Sequence, residues 1–337
     1  MERFFLGGNT GSGFAGYYTG ERERADRVFL IKGGPGTGKS SLMKKIGKNC
    51  AERGLDHELW YCSGDPSSLD GVLIKELGVL VTDATAPHAT EARLPGLRDC
   101  LVDMGQALNG KKLRMRREEI EKLLNVKKSS YNHAYEHLNR ALSYNKKKFA
   151  AYSEIADVAA IRREAAIFAL RMTDGCVGGE GSGSRDLFTR AITSEGVVGF
   201  FDYLVGKRVF RLKASESGVQ IFCGTAAELV GNVTRARFPL CPDITEGIFN
   251  GAFAVTGDAG VFETAADVID LSEAEGNAAF ACEFYRSREQ EEIAYAIKDF
   301  AAARNAHAET EKYFVEAMDF GIADELAEDV SRMIFGQ

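Results

Sequence analysis

An α/β chain made of two tandem repeats, each a parallel sheet covered by helices and followed by a helical extension, is the architecture that three observations predict. Short β-branched and aromatic runs alternate with helical patterns along the first half, as at Arg27 to Lys32, Lys39 to Arg53 and His57 to Cys62. Such alternation with short connections implies parallel pairing under a helical layer. The second half repeats the first in order, and TDGCVGGEGSGSR, Thr173 to Arg185, separates them with five glycines and Val177 as its one large aliphatic residue. That composition makes a flexible connection. The boundaries that follow are a first domain over 1–172, a linker over 173–184 and a second domain over 185–337.

The repeat rests on four blocks in the same order. RFFLGGNTGSGFAGYY from Arg3 matches RDLFTRAITSEGVVGFF from Arg185 once one residue is inserted, so that Thr10, Gly13, Gly16 and Tyr17-Tyr18 fall on Thr193, Gly196, Gly199 and Phe200-Phe201. RVFLIK at Arg27 matches RVFRLK at Arg208, and LVTD ending at Asp83 matches AVTG ending at Gly257. Both halves then finish in long helical patterns, REEIEKLL and YEHLNRALSYN in one, REQEEIAYAI and EKYFVEAMDF in the other.

Within the first half, GGNTGSGF at Gly7 to Phe14 reads as a hairpin turn, and Arg27 to Lys32 as a buried strand. The helix from Lys39 puts Leu42, Ile46 and Ala51 near one face and stops at Gly54. His57 to Cys62 is a second strand, Pro66 to Leu77 a short helix behind an Asp-Pro turn, and Gly78 to Asp83 a third strand. From Glu118 to Leu142 a stripe of Ile120, Leu124, Tyr131, Tyr135, Leu138 and Leu142 marks the helical extension.

The chemistry concentrates in GGPGTGKSS, where Gly33, Gly38, Lys39 and Ser40 complete the pattern Gly-x4-Gly-Lys-Ser between a strand and a helix. Glycines let the loop wrap a phosphate with backbone N–H groups, and the helix start adds its positive dipole end. Gly33, Gly34, Pro35, Gly36, Thr37, Gly38, Lys39, Ser40 and Ser41 are therefore the expected nucleotide-binding residues. Lys39 supplies charge to the β- and γ-phosphates and the Ser40 hydroxyl ligates Mg²⁺. Asp83, at the end of Val79, Leu80, Val81 and Thr82, is the expected second Mg²⁺ residue. Ala84 follows it, so the glutamate that many ATP hydrolases place there is missing. Lys39, Asp83 and Asp65 form the expected catalytic set, with Asp65 and Asp70 beyond the second strand and His88 on a later loop at the same sheet edge. Each also has a plain reading, Asp65 as a turn residue before Pro66 and His88 as a loop histidine.

Arg114, Arg116 and Arg117 are either γ-phosphate cations on a mobile segment or a solvated face paired with Glu118, Glu119 and Glu121. His133 and His137 have metal-pair spacing without a nearby third ligand. In the second half RVFRLKASESGVQI keeps the strand and loses the loop: position by position Gly33 becomes Ala214, Gly38 becomes Val219, Lys39 becomes Gln220 and Ser40 becomes Ile221, with Glu216 among them. One nucleotide per chain is the expected stoichiometry.

Composition narrows the class. The 337 residues are 45% hydrophobic and 27% charged, with a net charge of -7 that disfavours a general nucleic-acid partner. Charge is unevenly placed: twelve Lys or Arg against four Glu from Leu108 to Lys148, and six against twelve acidic residues from Tyr285 to Gln337. The basic extension is expected to close on the acidic tail. Seven scattered cysteines suggest reduced core residues, and MERFFLGGNT lacks the order of a secretory leader, so a cytoplasmic protein with no membrane span is expected.

GGNTGSGF, IKGGPGTGKSSLMKKIG, CSGDPSSLDG and TDATAPH together resemble an uncharacterised family of bacterial two-repeat P-loop proteins usually labelled ATPase or nucleotide-kinase-like. The resemblance spans essentially the whole chain, with AMDF at Ala317 to Phe320 fitting the family's helical tail. It implies tandem P-loop NTPase-like domains with ATP or another NTP as ligand and Mg²⁺ as cofactor. The second repeat departs from the family, whose members keep a phosphate loop in both halves. Three functions stay open: a nucleoside triphosphatase with slow hydrolysis, which is favoured; a kinase for a nucleotide or small phosphorylated molecule; and a non-catalytic nucleotide sensor read by a protein partner. The degenerate half would be a pseudo-NTPase scaffold or lid.

Overall fold

The computed structural model describes residues 1–173, 183–257 and 267–336. Nearly all of the expected linker, and Cys176, lie outside the described residues. In the first half the elements are β1 (Glu2–Phe4), β2 (Gly7–Thr10), β3 (Gly13–Gly16), α1 (Tyr18–Arg24), β4 (Arg27–Lys32), α2 (Lys39–Glu52), β5 (His57–Tyr61), β6 (Leu69–Ile74), β7 (Val79–Asp83), β8 (Asp99–Asp103), α3 (Gly110–Met115), α4 (Arg117–Ile155) and α5 (Val158–Thr173). The second half has β9 (Arg185–Leu187), β10 (Arg190–Thr193), β11 (Gly196–Gly199), β12 (Arg208–Lys213), α6 (Glu216–Val230), β13 (Thr234–Phe238), β14 (Cys241–Phe249), β15 (Phe253–Thr256), β16 (Asp267–Asp270), α7 (Ser272–Glu275), α8 (Ala278–Ala281), α9 (Glu283–Ala317) and α10 (Phe320–Phe335).

The first sheet runs β1-β5-β6-β7-β4-β8 and the second β9-β13-β14-β15-β12-β16, one strand order used twice. Registers agree as well: Arg27 faces Val79 as Arg208 faces Phe253, and Lys32 faces Asp103 as Lys213 faces Asp270. The β2–β3 and β10–β11 hairpins pair Thr10 with Gly13 and Thr193 with Gly196. The residue inserted in the sequence comparison is not needed. Arg3 faces Leu59 and Asp186 faces Arg235 in equivalent rungs, so Arg3 corresponds to Asp186 rather than to Arg185. Identical letters drew the arginines together, whereas ladder geometry keeps them apart.

The sheets are mixed rather than parallel. Residues expected to form a helix at Pro66 to Leu77 instead supply β6, antiparallel to both β5 and β7, and a 3-10 turn at Lys75–Leu77. Leu69, Val72 and Ile74 enter the core while Gly71 lies against Trp60. A six-residue segment with four large apolar residues fits either period, and the open edges of β5 and β7 decide for the strand. β4 pairs in parallel on both sides, and Val28, Phe29, Leu30 and Ile31 are all buried, as a central strand requires.

The two sheets pack face to face. Phe4, Leu6, Trp60, Leu30 and Leu80 share one core with Leu187, Val209, Phe249 and Ala254, and the rings of Phe4 and Phe249 stack with centroids 5.9 Å apart. Phe5 and Phe188 exchange backbone hydrogen bonds of 2.9 Å in both directions. Such self-reciprocal pairing marks the approximate two-fold relation between the halves. Arg185 donates to buried Glu58 at 2.8 and 2.6 Å and to Glu21 at 2.9 Å across the same seam. Burial pushes the Glu58 carboxyl up, but Arg185 overrides it and holds the group at about 2.

The outer faces are covered by exchange. Leu42, Met43 and Ile46 of α2 cover the first sheet together with Ala323, Ala327, Val330 and Ile334 of α10, from the far end of the chain. On the second sheet α6 is joined by α5, whose Phe168 meets Phe210 at 5.1 Å and Phe253 at 5.6 Å. Backbone bonds of 2.8 Å pin the crossings: Asn109 to Ala317, Asp319 to Ala107 and Asp157 to Ala274. Between them α4 and α9 pack along their length through Ala134, Leu138, Ala141, Ala296 and Phe300. Basic α4 meets acidic α9 at Lys148–Glu289 (2.7 Å), Arg140–Glu292 (2.9 Å) and His137–Glu292 (2.7 Å). No described helix is long and apolar enough to cross a membrane.

Because each sheet is finished by the other half's helix, urea unfolding followed by fluorescence and by circular dichroism should give one shared transition. Phe168→Ala should destabilise the whole molecule by about 3 to 5 kcal/mol; two separated transitions would show independent halves. Glu58, lowered in the folded chain, stabilises above its unfolded value near 4.3, and that contribution is lost as pH falls towards 2. Arg185→Met strands the carboxylate, so it should cost about 3 to 5 kcal/mol at neutral pH and move the acid-unfolding midpoint upward.

Candidate functional site

Six residues, Gly33 to Gly38, connect β4 to α2, and the left-handed φ of Gly36 (+64°) and Gly38 (+84°) curls them into a compact loop. Gly38 caps α2 with no side-chain acceptor, so side chains leave the first-turn N–H groups of the helix unclaimed. Thr37 Oγ1 closes the loop on Gly34 O at 2.9 Å. Lys39, the first helical residue, donates to Gly33 O at 2.7 Å and Gly34 O at 2.9 Å, and its Nζ lies 3.7 Å from Asp83 Oδ2. An ammonium has three donors. Two therefore hold the loop, and the third direction faces the end of β7.

Ser40 Oγ accepts from Leu69 N at 3.0 Å and keeps its own proton free to reorient. Asp83 Oδ1 is held by Thr85 N (2.7 Å) and Thr85 Oγ1 (2.5 Å), which fixes its rotamer and leaves Oδ2 towards Lys39. A hydroxyl and a carboxylate are hard oxygen donors that suit Mg²⁺. Among the described residues no group of three or more His, Cys, Asp or Glu could hold a metal by itself. A cation at Ser40 and Asp83 would complete its shell with phosphate and water oxygens. Ser41 is exposed in the first turn of α2, and Pro35 lies within the loop.

Behind the loop sits a buried polar cluster that the sequence signalled only in pieces. Asp70 Oδ2 accepts from Tyr18 OH at 3.0 Å and lies 3.3 Å from His88 Nε2, and both side chains are under a tenth exposed. The His88 ring packs against Tyr18 at 4.6 Å and Phe14 at 5.3 Å, and its Nδ1 has no partner. Burial lowers the His88 imidazolium, but Asp70 outweighs it and the net shift is upward. Tyr18 is pushed well up by burial and then by Asp70.

Asp65 does something else. Its oxygens accept from Ser67 Oγ (2.8 Å) and Ser68 Oγ (2.7 Å), and it meets Arg304 of α9 at 3.0 Å. The carboxylate caps its own turn and ties the halves together, which leaves it little freedom to serve a reacting group. Arg116 and Arg117 pair with Glu119 (3.3 Å) and Glu121 (2.7 Å) on exposed helix, so the solvated-face reading describes them, and Arg114 lies on neighbouring exposed α3. His133 is exposed while His137 is spent on Glu292, and the two form no metal pair.

What sequence reading missed comes from α9. Gly36 N donates to Glu311 Oε1 at 3.2 Å. A Cβ on Gly34 would lie 2.8 Å from Phe314 Cε1, and one on Gly36 would lie 3.1 Å from Val315 Cγ2. His307 Nδ1 is 3.0 Å from Lys127 Nζ of α4, and its Nε2 is 3.7 Å from Glu311. Burial, then Lys127 and Lys39, push the His307 imidazolium down to about 4, and burial lowers the Lys127 ammonium. No local pattern marks these residues, because they reach the loop only through the helix crossing.

The second half has closed its equivalent. Lys213 ends β12 and Glu216 starts α6, so two residues replace six. The position-by-position comparison is overturned here: Val219, Gln220 and Ile221 lie inside α6, and Glu216 stands where Lys39 stands. Ser215 N and Oγ donate to the Glu275 carboxylate at 2.6 to 2.9 Å, while Glu216 and Glu289 flank Lys148 at 2.6 and 2.7 Å. A cavity of about 600 Å³ remains beside it, lined by Lys148, Tyr152, Arg190, Glu216, Phe238 and Glu289.

Asp70 raises His88, so the folded form is favoured by a bound proton: that stability is complete below the unfolded value near 6.5 and fades as pH rises through the folded value. Asp70→Asn should lower the His88 midpoint in an NMR titration and remove this slope from stability measured between pH 5.5 and 8. An unchanged midpoint would show that Asp70 is not its controlling charge.

No family model, curated protein or solved structure matches this chain.

Proposed function

We propose that the chain binds one nucleoside triphosphate with Mg²⁺ at Gly33 to Ser41 and hydrolyses it slowly, the second half acting as a pseudo-NTPase scaffold. The observation that carries this reading is Lys39, tied to Gly33 O and Gly34 O at the uncapped start of α2 with Asp83 beside it. Loop N–H groups and Lys39 would neutralise the β- and γ-phosphates. Ser40 and Asp83 would hold Mg²⁺, which would supply stabilisation of negative charge on the β- and γ-phosphates. Water supplies the incoming oxygen, and its proton leaves to solvent or to a nearby base. No carboxylate follows Asp83, and the Asp70–His88 pair, with a free ring nitrogen, is the titratable group behind the loop. The glutamates around Ser215 and Lys148 favour a single site, because a phosphate there would meet carboxylates. A sensor is the second reading, favoured by the contact between α9 and the loop.

Calorimetry with Mg-ATP should give one site per chain. Lys39→Ala removes charge-assisted bonds of about 1.5 to 3 kcal/mol and should weaken binding roughly 10- to 100-fold. Asp83→Asn should leave metal-free binding nearly intact and abolish its enhancement by Mg²⁺. Equal binding by Lys39→Ala, or two equivalent sites, would sink the assignment; phosphate release above background separates hydrolase from sensor.

A further inference from the structure

Glu311 reaches the Gly33–Gly38 loop from α9. Its Oε1 takes the Gly36 N–H at 3.2 Å, on a glycine whose left-handed φ belongs to the curl of the loop. Phe314 and Val315, about one turn further along α9, lie close over Gly34 and Gly36, where an added Cβ would meet them at 2.8 and 3.1 Å. The surroundings favour an anion more highly charged than one carboxylate. Lys39 stands in the loop and Lys127 reaches in from α4, each electrostatically felt by His307, with Asp83, Glu311 and the Arg304-paired Asp65 as the carboxylates. A triphosphate carries several negative charges where Glu311 brings one, and a backbone N–H cannot serve both acceptors at full strength.

We infer that Glu311 is a built-in phosphate mimic, by which α9 of the second half caps the phosphate loop of the first, and that nucleotide phosphates must displace it to bind. This deepens the proposed function by naming how that site is regulated, and it rests on that reading. Displacement would not stay local. The same helix holds Arg304, which bridges Asp65 (3.0 Å) and Glu195 (2.6 Å) on opposite halves, and α9 leads directly into α10, which covers the first sheet. Withdrawal of Glu311 therefore loads the seam between the halves, and Lys127 becomes free to follow the incoming phosphates.

The test measures Mg-ATP and inorganic pyrophosphate binding by calorimetry for wild type, Glu311→Ala, Glu311→Gln, Lys39→Ala and Glu309→Ala, each checked for folding by circular dichroism. Glu311→Ala should bind about tenfold tighter or more, Glu311→Gln should fall between it and wild type, and Glu309→Ala, whose carboxylate pairs with Lys312 on the exposed side, should match wild type. Hydrogen exchange across 305–317 should quicken in wild type when Mg-ATP is added. If wild type binds through Lys39 but Glu311→Ala binds no tighter, or α9 gains protection with nucleotide, the cap is wrong and the nucleotide site stands. If no variant binds either ligand, the site reading itself falls and the cap falls with it.

Discussion

Each sheet has two apolar faces and only one of them can be spent on the other sheet. The remaining face is too wide for a single helix: α2 and α6 each leave strands uncovered, and the missing cover comes from α10 and α5 of the opposite half. Burial of those faces at roughly 25 cal/mol per Å² is the dominant favourable term in the fold. Nearly everything else follows from it. To deliver α5 and α10 across the molecule, the chain must travel along α4 and α9, and these helices must pass the ends of the strands. Strand ends are where open α/β sheets place their ligands. The segment that brings Glu311, Phe314 and His307 over the Gly33–Gly38 loop is therefore the same segment that completes the core.

The two loops have diverged by charge as well as by length. Counted back from the helix caps Ala156 and Met318, Lys127 and Glu289 hold the same place on α4 and α9, as do Asn145 and His307. Their contacts correspond too, Lys127 with His307 at 3.0 Å and Glu289 with Asn145 at 3.2 Å. Lys39 and Lys127 of the first site thus face Glu216 and Glu289 in the second, with Lys148 between the two glutamates. Burial raises the Glu289 carboxyl while Lys148 opposes it, as burial lowers the Lys127 ammonium at the corresponding place in the first half. A pair of differing charges and a loop four residues shorter set a closed ion-pair cluster where the first half has an open, lysine-bearing helix start, with the same strand order around both.

Local chemistry was legible. The strand Arg27–Lys32, the glycine curl, the helix from Lys39, Asp83 at a strand end and the repetition of the whole were all readable from residue types and spacing. Where sequence reading failed, the local residues fitted two readings and a distant partner decided. Leu69–Ile74 is a strand because β5 and β7 leave two open edges for it. Arg3 and Arg185 look equivalent as letters, yet one meets Asp202 and the other Glu58, because the ladder sets their rungs. His88 could be read as a group at the sheet edge or as a loop histidine, and the enclosure by Asp70, Tyr18 and Phe14 depends on the fold.

The sequence by itself determined the repeat, the α/β class and the glycine-rich loop between β4 and α2, since these depend on glycine conformations, apolar periodicity and charges adjacent along the chain. Only the tertiary structure decided which half covers which sheet, that both sheets are mixed, that Asp65 is an anchor, and that Glu311 sits on Gly36. Those facts depend on contacts between residues far apart in the chain. Burial of apolar faces selects such contacts over the whole molecule at once, and no short window of residues carries their signal.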